Sequence, residues 1–305
     1  MKEKLLVIVG PTGVGKTEFA LQVAKEINAE IISADSMQIY KGFDKGTAKI
    51  HEDEMQGIKH HLIDFVEPSG SFSASEFVKL AKFVISDIRS RGKNIVVVGG
   101  TGLYVNSLLY GFNFCGQEKN DEIRATLEKE AEMYGKEYMY DLLKKIDPKT
   151  ADEIHPNELK RVLRALEIYR VTGKPKSKCI SKSRVSVYNS LIIALTMDRD
   201  KLYNIINDRC DKMIDDGLLL EAEQLIKNYS LTTENQSIMA IGYRQAYEYL
   251  KGEIDYDTFI SKFKQASRNY AKRQYTWFNK LSDAIWYDTT KKDKAMEKIK
   301  EFYND

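Results

Sequence analysis

The sequence predicts an α/β protein whose core is a mostly parallel sheet. Three short apolar runs, at Leu5–Val9, Glu30–Ala34 and Ile95–Val98, have the length and composition of buried strands. Two helix-length amphipathic segments, Thr17–Ile27 and Ala74–Arg91, separate them. Strands that alternate with helices are joined by crossover connections, which produce parallel sheets covered by helices.

A fourth apolar run, Leu191–Leu195, has the same character but follows the third only after a long stretch with a helical pattern. We therefore expect one core from residues 1–113 and 190–305, interrupted by an inserted small helical domain at residues 114–189. From Leu202 to the end of the chain, the pattern predicts helices. The length of 305 residues, about twice the usual size of one domain, agrees with two structural units.

The composition limits the class of protein. Hydrophobic residues make up 43% of the chain, which is enough to form buried cores and excludes general disorder. The 47 Lys and Arg residues against 45 Asp and Glu exclude a chain that is basic throughout, but not local basic patches. No apolar run reaches the ~18 residues that a membrane helix needs.

The cysteines and the N-terminal segment indicate a compartment. Cys115, Cys179 and Cys210 lie far apart without metal-ligand spacing, as is typical of a reducing cytosol. No apolar signal segment precedes Gly10. We therefore predict a soluble cytoplasmic protein without a membrane partner. Because the sequence has no heptad pattern or exposed apolar stripe, we also expect a monomer.

A glycine-rich loop directly after the first strand fits the phosphate-loop pattern G-x-x-x-x-G-K-[ST]. Its residues are Gly10, Pro11, Thr12, Gly13, Val14, Gly15, Lys16 and Thr17. Glycines let backbone N–H groups curl around phosphate oxygens, and the start of the next helix adds its dipole. Lys16 would place a positive charge on the terminal phosphate, and the Thr17 hydroxyl would bind Mg²⁺. The loop therefore predicts a P-loop NTPase-like core that binds a polyphosphate or diphosphate, without specifying ATP.

The acidic residues at the strand ends depart from the usual pattern of phosphate-loop NTPases. Such proteins use an Asp after an apolar strand to hold Mg²⁺, but here Ile95–Val98 is followed by Gly99–Gly102. Asp35 instead follows the second strand, at the sheet edge where the phosphate loop lies. Asp35 is either a functional carboxylate or a turn residue. The sequence also lacks the arginine-rich lid that small-molecule kinases close over ATP, which weakens a kinase assignment.

Two basic stretches stand out against the balanced total. Residues 160–184 hold nine basic residues and one acid, a local charge of +8, and residues 261–280 hold six basic residues and no acid. The first is either an RNA- or DNA-binding surface, which the charge favours, or a solvated face. In the second, aromatic residues are interleaved with the charges and could stack on unpaired bases. For Trp277 and Phe278, packing in a core is the favoured interpretation.

One further arginine has two interpretations. In the helix predicted over residues 201–220, Arg209 lies at the edge of an apolar stripe. The stripe is formed by Leu202, Ile206, Cys210, Met213 and Gly217. Arg209 either lays its stem on the core with its head in water, or points into the crevice to neutralise phosphate.

Five motifs occur in a fixed order along the chain. They are Gly10–Thr17, Ser33-Ala-Asp-Ser-Met-Gln-Ile-Tyr40, Gly99-Gly-Thr-Gly-Leu-Tyr104, Lys160-Arg-Val-Leu-Arg-Ala-Leu-Glu167 and Tyr270-Ala-Lys-Arg-Gln-Tyr-Thr-Trp277. Together they resemble the tRNA dimethylallyltransferase family, the bacterial tRNA isopentenyltransferases, from about Leu5 to Trp277. The resemblance implies transfer of a dimethylallyl group from dimethylallyl diphosphate to the exocyclic N6 amine of the adenosine beside the tRNA anticodon.

The resemblance also implies roles for the candidate catalytic residues. Asp35 would act as the general base for the weakly nucleophilic amine. Lys16, Mg²⁺ held by Thr17, and Arg209 would stabilise the leaving diphosphate. Thr101 matches a family position near the target nucleotide. The loop would then hold a leaving group, so that no ATP lid is required.

The tRNA side of the site follows from the same resemblance. The target adenosine would be flipped out of its stack into the crevice. The inserted domain would grip the anticodon stem-loop. The residues implied in tRNA binding are Asp35, Ser36, Met37, Gln38, Thr101, Arg124, Leu159, Lys160, Arg161, Val162 and Leu163.

Two alternatives come from other classes of protein. One is an ATP-dependent small-molecule kinase of the P-loop fold, and the other is a non-catalytic RNA-binding protein with a nucleotide switch. The Asp35 motif and the missing lid argue against the kinase, and the Gly99–Tyr104 loop argues against the switch.

Overall fold

The structure is a computed structural model, and it describes residues 2–114, 120–181 and 185–304. Cys115, Lys182 and Arg184 therefore lie outside the described residues. The chain forms two compact units. The first combines Met1–Leu109 with Val187–Asp305, and the second is Tyr110–Ser186. The insertion predicted at residues 114–189 corresponds to this second unit, but each predicted boundary lies a few residues later in the chain than the observed one.

Six strands of the first unit form one parallel sheet. Along the chain, the strands of the described residues are β1 (Lys4–Val9), β2 (Ala29–Ser33), β3 (His60–His61), β4 (Asn94–Val98), β5 (Asn113–Phe114), β6 (Ile180–Ser181), β7 (Asn189–Thr196) and β8 (Ala284–Asp288). The sheet has the order β3-β2-β4-β1-β7-β8. In its centre, Leu6 of β1 is opposite Val96 of β4 on one side and Leu191 of β7 on the other. The α/β class and the parallel sheet predicted from the sequence are confirmed.

Helices connect these strands and form the second unit. They are α1 (Lys16–Glu26), α2 (Ala74–Ser90), α3 (Gly102–Leu109), α4 (Asp121–Ile146), α5 (Pro148–Asp152), α6 (Leu159–Thr172), α7 (Lys176–Cys179), α8 (Arg199–Asp215), α9 (Leu218–Tyr229), α10 (Tyr243–Leu250), α11 (Tyr256–Phe278) and α12 (Lys292–Asn304). α2 begins with a capping box, in which Ser73 accepts from the Glu76 amide and Glu76 accepts from the Ser73 amide. Among the described residues, no helix combines the length and apolar character needed to cross a membrane.

Two sequence predictions about the C-terminal part are wrong. The region after Leu202 is not entirely helical, because β8 pairs in parallel with β7 at the sheet edge. This strand is short and partly exposed, so it lacks the full burial that marks the central strands. Trp277 is not a core residue but is 41% exposed, and its stem packs on Gly102, while the neighbouring Phe278 is fully buried.

The second unit has its own hydrophobic core. α4 and α6 pack along each other, and Leu127, Met139 and Leu143 of α4 meet Val162 and Leu166 of α6 in this core. The helical pattern of α4 is interrupted at a glycine with a positive φ of 83°. A short antiparallel pair, β5 with β6, closes the unit. The unit is therefore a small, mainly helical domain.

A buried carboxylate stabilises the edge of the sheet in the first unit. Glu30 of β2 is 2% exposed and contacts the side chains of Arg91, His61 and Lys93. The Arg91 Nη2–Glu30 Oε2 distance is 2.8 Å, and the His61 Nε2–Glu30 Oε2 distance is 2.7 Å. The hydrogen bonds from Arg91, more than any other contact, lower the pKa of Glu30 to about 2.

Replacing Glu30 with glutamine is expected to lower the free energy of unfolding by about 2–3 kcal/mol, because basic groups then lose their buried carboxylate. The pKa of Glu30 is depressed on folding, so its contribution is full above the ordinary pKa of 4.5 and is lost as pH falls through about 2. Urea unfolding at neutral and acidic pH measures this difference. The exposed Glu52→Gln variant is the control, and equal stabilities of the two variants at neutral pH would contradict the prediction.

Candidate active site

Three loops meet at the carboxyl edge of the sheet, because their strands are neighbours in the order β2-β4-β1. The phosphate loop follows β1, Asp35 follows β2, and the turn Gly99–Gly102 follows β4. In parallel sheets this edge is where ligands bind. Arg209 from α8, with Tyr270 and Gln274 from α11, lines the cavities at the same edge.

The phosphate loop is held close to the sheet. Gly10 has a φ of 146°, and a Cβ there would lie 2.6 Å from the backbone oxygen of Leu195 in β7. Only glycine therefore lets the chain leave β1 beside β7. Lys16 folds back over the loop, and its Nζ donates to the Pro11 carbonyl oxygen at 2.7 Å.

The ammonium group of Lys16 lies in an unfavourable environment for a positive charge. Burial, followed by the nearby charge of Arg209, lowers the pKa of Lys16 to about 7, and the charge of Asp35 opposes this effect. The three groups thus influence one another electrostatically. An anion bound in the loop would restore the charged form of Lys16.

Arg209 points into the site. Its Nη1 donates to the hydroxyl of Thr12 in the phosphate loop at 3.0 Å, and the side chain lines both cavities at this sheet edge. Burial lowers the pKa of Arg209, and the charge of Asp35 counteracts the shift. Of the two interpretations of this arginine, the structure agrees with the one in which the guanidinium faces the crevice.

Asp35 stabilises a turn and also lines both cavities of the site. Its Oδ1 accepts hydrogen bonds from the backbone N–H groups of Met37, at 2.9 Å, and Gln38, at 3.4 Å. Within the described part of the chain, no residue donates a hydrogen bond to its Oδ2. The turn therefore orients the carboxylate and leaves one oxygen available to a ligand.

Thr101 supports this turn from the neighbouring loop. Its Oγ1 accepts from the Ser36 backbone N–H at 2.9 Å and lies 3.2 Å from the Ser36 hydroxyl. The Thr101 backbone N–H donates to the Ala34 carbonyl oxygen at 3.1 Å. The Thr101 hydroxyl, predicted to lie near the target nucleotide, is thus hydrogen-bonded to the turn that carries Asp35.

Two cavities adjoin at this point. Both are lined by Thr12, Asp35, Thr47, Arg209 and Tyr270. The smaller, of about 100 Å³, is also lined by Lys16 and Thr17 at the end of the phosphate loop and by Gln274 of α11. The larger, of about 240 Å³, has a mostly apolar wall formed by Ile206, Cys210, Met213, Met239, Ala240, Ile241 and Phe263. A charged ligand end and an apolar ligand end can therefore lie side by side at Asp35.

A scaffold of buried and half-buried polar groups holds residues 44–49 in the wall of the site. The Gln38 amide donates to the Thr47 carbonyl oxygen at 3.2 Å. Glu221 accepts from two backbone N–H groups of the segment, and the hydroxyl of Tyr243 accepts from a third at 3.1 Å. Lys49 donates to the carboxylates of two aspartates, each at 2.6 Å. Glu221, Tyr243 and Lys49 were not predicted from the sequence, because their partners are distant or lie within an irregular loop.

The family is decided by comparison with known proteins. The family model described as IPP transferase matches residues 38–281, which is most of the chain. The chain belongs to the IPP transferase family. A second model, for the ATPase family associated with various cellular activities (AAA), matches residues 6–66, which include the phosphate loop and Asp35. The resemblance indicated by the sequence motifs and the P-loop character of the core are thus confirmed.

Relatives of the chain match nearly its whole length. A tRNA dimethylallyltransferase of Anoxybacillus flavithermus is 47% identical over 95% of this chain and 92% of its own. One from Halalkalibacterium halodurans is 46% identical over 100% of this chain and 96% of its own. Bacillus subtilis has a tRNA dimethylallyltransferase that is 46% identical over 95% of this chain and 92% of its own.

Solved structures agree with these relatives. The tRNA isopentenylpyrophosphate transferase of Bacillus halodurans superposes with a TM-score of 0.73 at 43% identity, covering 99% of both chains. A eukaryotic dimethylallyltransferase described as acting on tRNA superposes with a TM-score of 0.79 at 31% identity. That match covers 94% of this chain and 74% of the eukaryotic one.

In the second unit of this IPP transferase, the candidate tRNA-binding residues lie on α4 and α6. Arg124 of α4 is half-buried and pairs with Glu128 at 3.2 Å. Lys160 and Arg161 are exposed at the start of α6, and Leu159 is half-buried. Val162 and Leu163 are buried in the core. The last two can therefore support an RNA-binding surface but do not present their side chains to it.

In the folded structure, ion pairs with carboxylates offset part of the positive charge of residues 160–184. Three of its arginines form ion pairs with carboxylates, two of which belong to residues outside the stretch. The pairs are Arg161 with Glu158, Arg164 with Glu167, and Arg170 with Glu130. Within the described residues, Lys160, Lys174, Lys176 and Lys178 of the stretch form no ion pair. Among the described residues of the stretch, these four lysines are the basic residues without a carboxylate partner; Lys176 is half-buried and the other three are exposed.

The site can accept Mg²⁺ only together with a ligand. In the described part of the chain, no group of three or more His, Cys, Asp or Glu side chains could hold a metal. The Thr17 hydroxyl and the Asp35 carboxylate both line the smaller cavity. Mg²⁺ usually keeps several waters and uses few protein ligands beside substrate phosphates, so this oxygen donor set fits the ion.

Proposed function

We propose that this chain transfers a dimethylallyl group from dimethylallyl diphosphate to the exocyclic N6 amine of the adenosine beside the anticodon of tRNA, releasing diphosphate. The observation that carries the proposal is the convergence of Lys16, Arg209 and Asp35 on two adjoining cavities, one polar and one mostly apolar. Family membership supports the same reaction, since relatives that match nearly the whole chain are tRNA dimethylallyltransferases.

In this proposal the phosphate loop holds the leaving group. The backbone N–H groups of the loop, Lys16 and Arg209 bind the diphosphate and stabilise the negative charge that grows on it as the bond to the allylic carbon breaks. Thr17 would hold Mg²⁺ against the same oxygens, and the ion would supply further neutralisation of that charge. The electron pair of the breaking C–O bond leaves with the diphosphate.

Asp35 receives the proton of the acceptor. The exocyclic amine of adenine is a weak nucleophile, because its lone pair is delocalised into the ring. As the new C–N bond forms, the amine proton moves to the free Oδ2 of Asp35, whose Oδ1 is fixed by the turn. Thr101 keeps that turn in place through Ser36. Ser36, Met37 and Gln38 belong to the wall on the nucleotide side.

The apolar cavity protects the allylic group. Carbocation character at the reacting carbon makes it vulnerable to water as well as to the amine. Side chains such as Ile206, Met213, Met239 and Phe263 would surround the dimethylallyl group and exclude water. We propose that the protein works in the cytoplasm, without a membrane. We also propose that it acts as a monomer.

One assay separates this function from its alternatives. The protein is incubated with Mg²⁺, unmodified tRNA and dimethylallyl diphosphate, with and without ATP. We expect N6-isopentenyladenosine and diphosphate in equal amounts, independent of ATP. Formation of ADP without modified tRNA would indicate the kinase or the nucleotide switch and would reject the proposal.

Diphosphate binding is expected to take up a proton above about pH 7. Lys16 has a pKa of about 7 in the free protein, so above this pH its amine is mostly neutral and must be protonated when the anion binds. Affinity for diphosphate should therefore decrease as pH rises above this value. Calorimetry in buffers of different ionisation enthalpy counts the protons, and a proton uptake retained in Lys16→Met would contradict the assignment.

We further propose that the lysines of the second unit grip the anticodon stem-loop. Replacing Lys174, Lys176 and Lys178 together with alanine should weaken tRNA binding. It should also flatten the salt dependence, by roughly one unit of slope for each lysine that binds a phosphate in the wild-type complex. Binding titrations at several salt concentrations measure the slope.

The control for this experiment removes the same charge elsewhere. Lys25, Lys79 and Lys82 are exposed on α1 and α2 of the first unit. Their triple alanine variant should retain the slope of the wild-type protein. Equal slopes in both triple variants would mean that residues 174–178 form a solvated face rather than an RNA-binding surface.

A further inference from the structure

A single glutamine connects the two loops that are proposed to hold the donor and the acceptor. Gln274 of α11 is 3% exposed. Its Oε1 accepts from the backbone N–H of Thr12 in the phosphate loop at 2.8 Å. Its Nε2 donates to the carbonyl oxygen of Gly100, in the turn after β4, at 3.1 Å. The carboxamide therefore bridges the loops that follow β1 and β4.

The chemistry of this bridge requires a carboxamide. One end must accept from an N–H group and the other must donate to a carbonyl oxygen, which an ionised carboxylate cannot do. The turn is also shaped to receive it, because a Cβ on Gly100 would lie 2.1 Å from the Gln274 Nε2. Glycine is thus needed at position 100 for the close approach of this side chain.

Each end of the bridge leads to a group that is proposed to act in the reaction. Thr12 is fixed from two sides, by Gln274 at its backbone N–H and by Arg209 at its hydroxyl. Gly100 precedes Thr101, whose hydroxyl accepts from the backbone N–H next to Asp35. A continuous series of short contacts therefore runs from the diphosphate-binding loop to the carboxylate.

We infer that Gln274 is a positioning residue that fixes the distance between the leaving diphosphate and the accepting amine, an inference that rests on the proposed function. The two loops belong to different strands, and Gln274 is a side chain that hydrogen-bonds to both. Without it each loop can still bind its own ligand, but the reacting carbon and nitrogen are no longer held at attack distance. Small misplacements of this kind lower the rate of reaction rather than affinity.

Two variants test the inference. In Gln274→Met the shape is retained and both hydrogen bonds are removed. We expect a decrease of about 10²-fold in the single-turnover rate at saturating substrates, with little change in the dissociation constants of diphosphate and tRNA. Gln265→Met is the matched control, because Gln265 is exposed on the same helix. Thermal unfolding of each variant shows that it is folded.

The second variant, Gln274→Glu, gives a readout that packing alone would not change. Ionised, it still accepts from Thr12 but repels the Gly100 oxygen. Protonated, it is a neutral group that accepts at one end and donates at the other, as glutamine does. Its rate relative to the wild type at the same pH should therefore rise as the pH is lowered from about 8 to about 5.5, because burial raises the pKa of such a carboxyl.

The outcomes separate a wrong role for Gln274 from a wrong reaction. A Gln274→Met rate equal to that of the wild type, or a Gln274→Glu ratio independent of pH, would overturn the inference. Loss of diphosphate affinity with an unchanged saturated rate would also overturn it, since Gln274 would then shape only the diphosphate site. A wild-type protein that forms no isopentenyladenosine would reject the proposed function itself.

Discussion

Replacing Asp35 with asparagine is expected to lower the rate of prenyl transfer by about 10³-fold, the size typical of a lost general base. Asparagine keeps an oxygen that can accept from the Met37 backbone N–H, so the turn should survive. The variant lacks the second oxygen that would take the amine proton. Single-turnover formation of isopentenyladenosine measures the change, and tRNA affinity should remain close to that of the wild type.

The Asp35 prediction has a direct control. Asp53→Asn removes an exposed carboxylate from the loop between β2 and β3, and it should leave the rate unchanged. Near-normal turnover of Asp35→Asn would remove Asp35 from the role of general base. A fall in both rate and tRNA affinity would instead indicate that the carboxylate mainly holds the wall of the site.

Replacing Arg209 with glutamine is expected to lower the transfer rate by about 10²-fold to 10³-fold, because the leaving group then lacks one preorganised donor. Arg209 also donates to Thr12, so the variant loosens the phosphate loop. The removal of its positive charge should raise the pKa of Lys16 from about 7, since that charge contributes to the lowering. Proton uptake on diphosphate binding should therefore decrease in the variant.

Arg199 provides the matched control, because it is the first residue of the same helix and is exposed. Arg199→Gln should transfer prenyl groups at the wild-type rate and show the wild-type proton uptake. If Arg209→Gln behaves in the same way as Arg199→Gln, the guanidinium does not act on the diphosphate.

The features that sequence could predict are those encoded by neighbouring residues. The phosphate loop is a contiguous pattern between a strand and a helix, so both its existence and its place at the sheet edge follow from local order. Asp35 could be singled out because it ends a strand, and parallel strands bring their carboxyl ends together. The central strands are continuous apolar runs, which the buried sheet requires.

The features that sequence could not predict depend on partners far along the chain. Gln274 meets Thr12 and Gly100 only after the whole fold has formed. Glu221 and Tyr243 likewise support a segment that is separated from them by almost two hundred residues. Trp277 resembled a core residue in the sequence, but its stem packs on Gly102 while 41% of the residue stays exposed. The residues next to these side chains in the sequence do not indicate which distant partners they contact or how exposed they are.

The charge presented by the second unit likewise depends on partners that are distant in sequence. Residues 160–184 carry an excess of eight positive charges, but two carboxylates outside the stretch, those of Glu158 and Glu130, pair with two of its arginines. Arg170 pairs with Glu130 of α4, a contact that a window along the sequence does not contain. The lysines that remain are a narrower and better defined target for mutation than the whole stretch.

A crystal structure with an unreactive analogue of dimethylallyl diphosphate and an anticodon stem-loop RNA would test the proposed prenyl transfer most directly. We predict the diphosphate on the backbone N–H groups of the phosphate loop, with Arg209 beside it. The exocyclic amine of the flipped adenosine should lie within hydrogen-bond distance of Asp35. A diphosphate bound away from the loop, or an adenosine amine that faces away from Asp35, would contradict the proposed roles of the phosphate loop and Asp35.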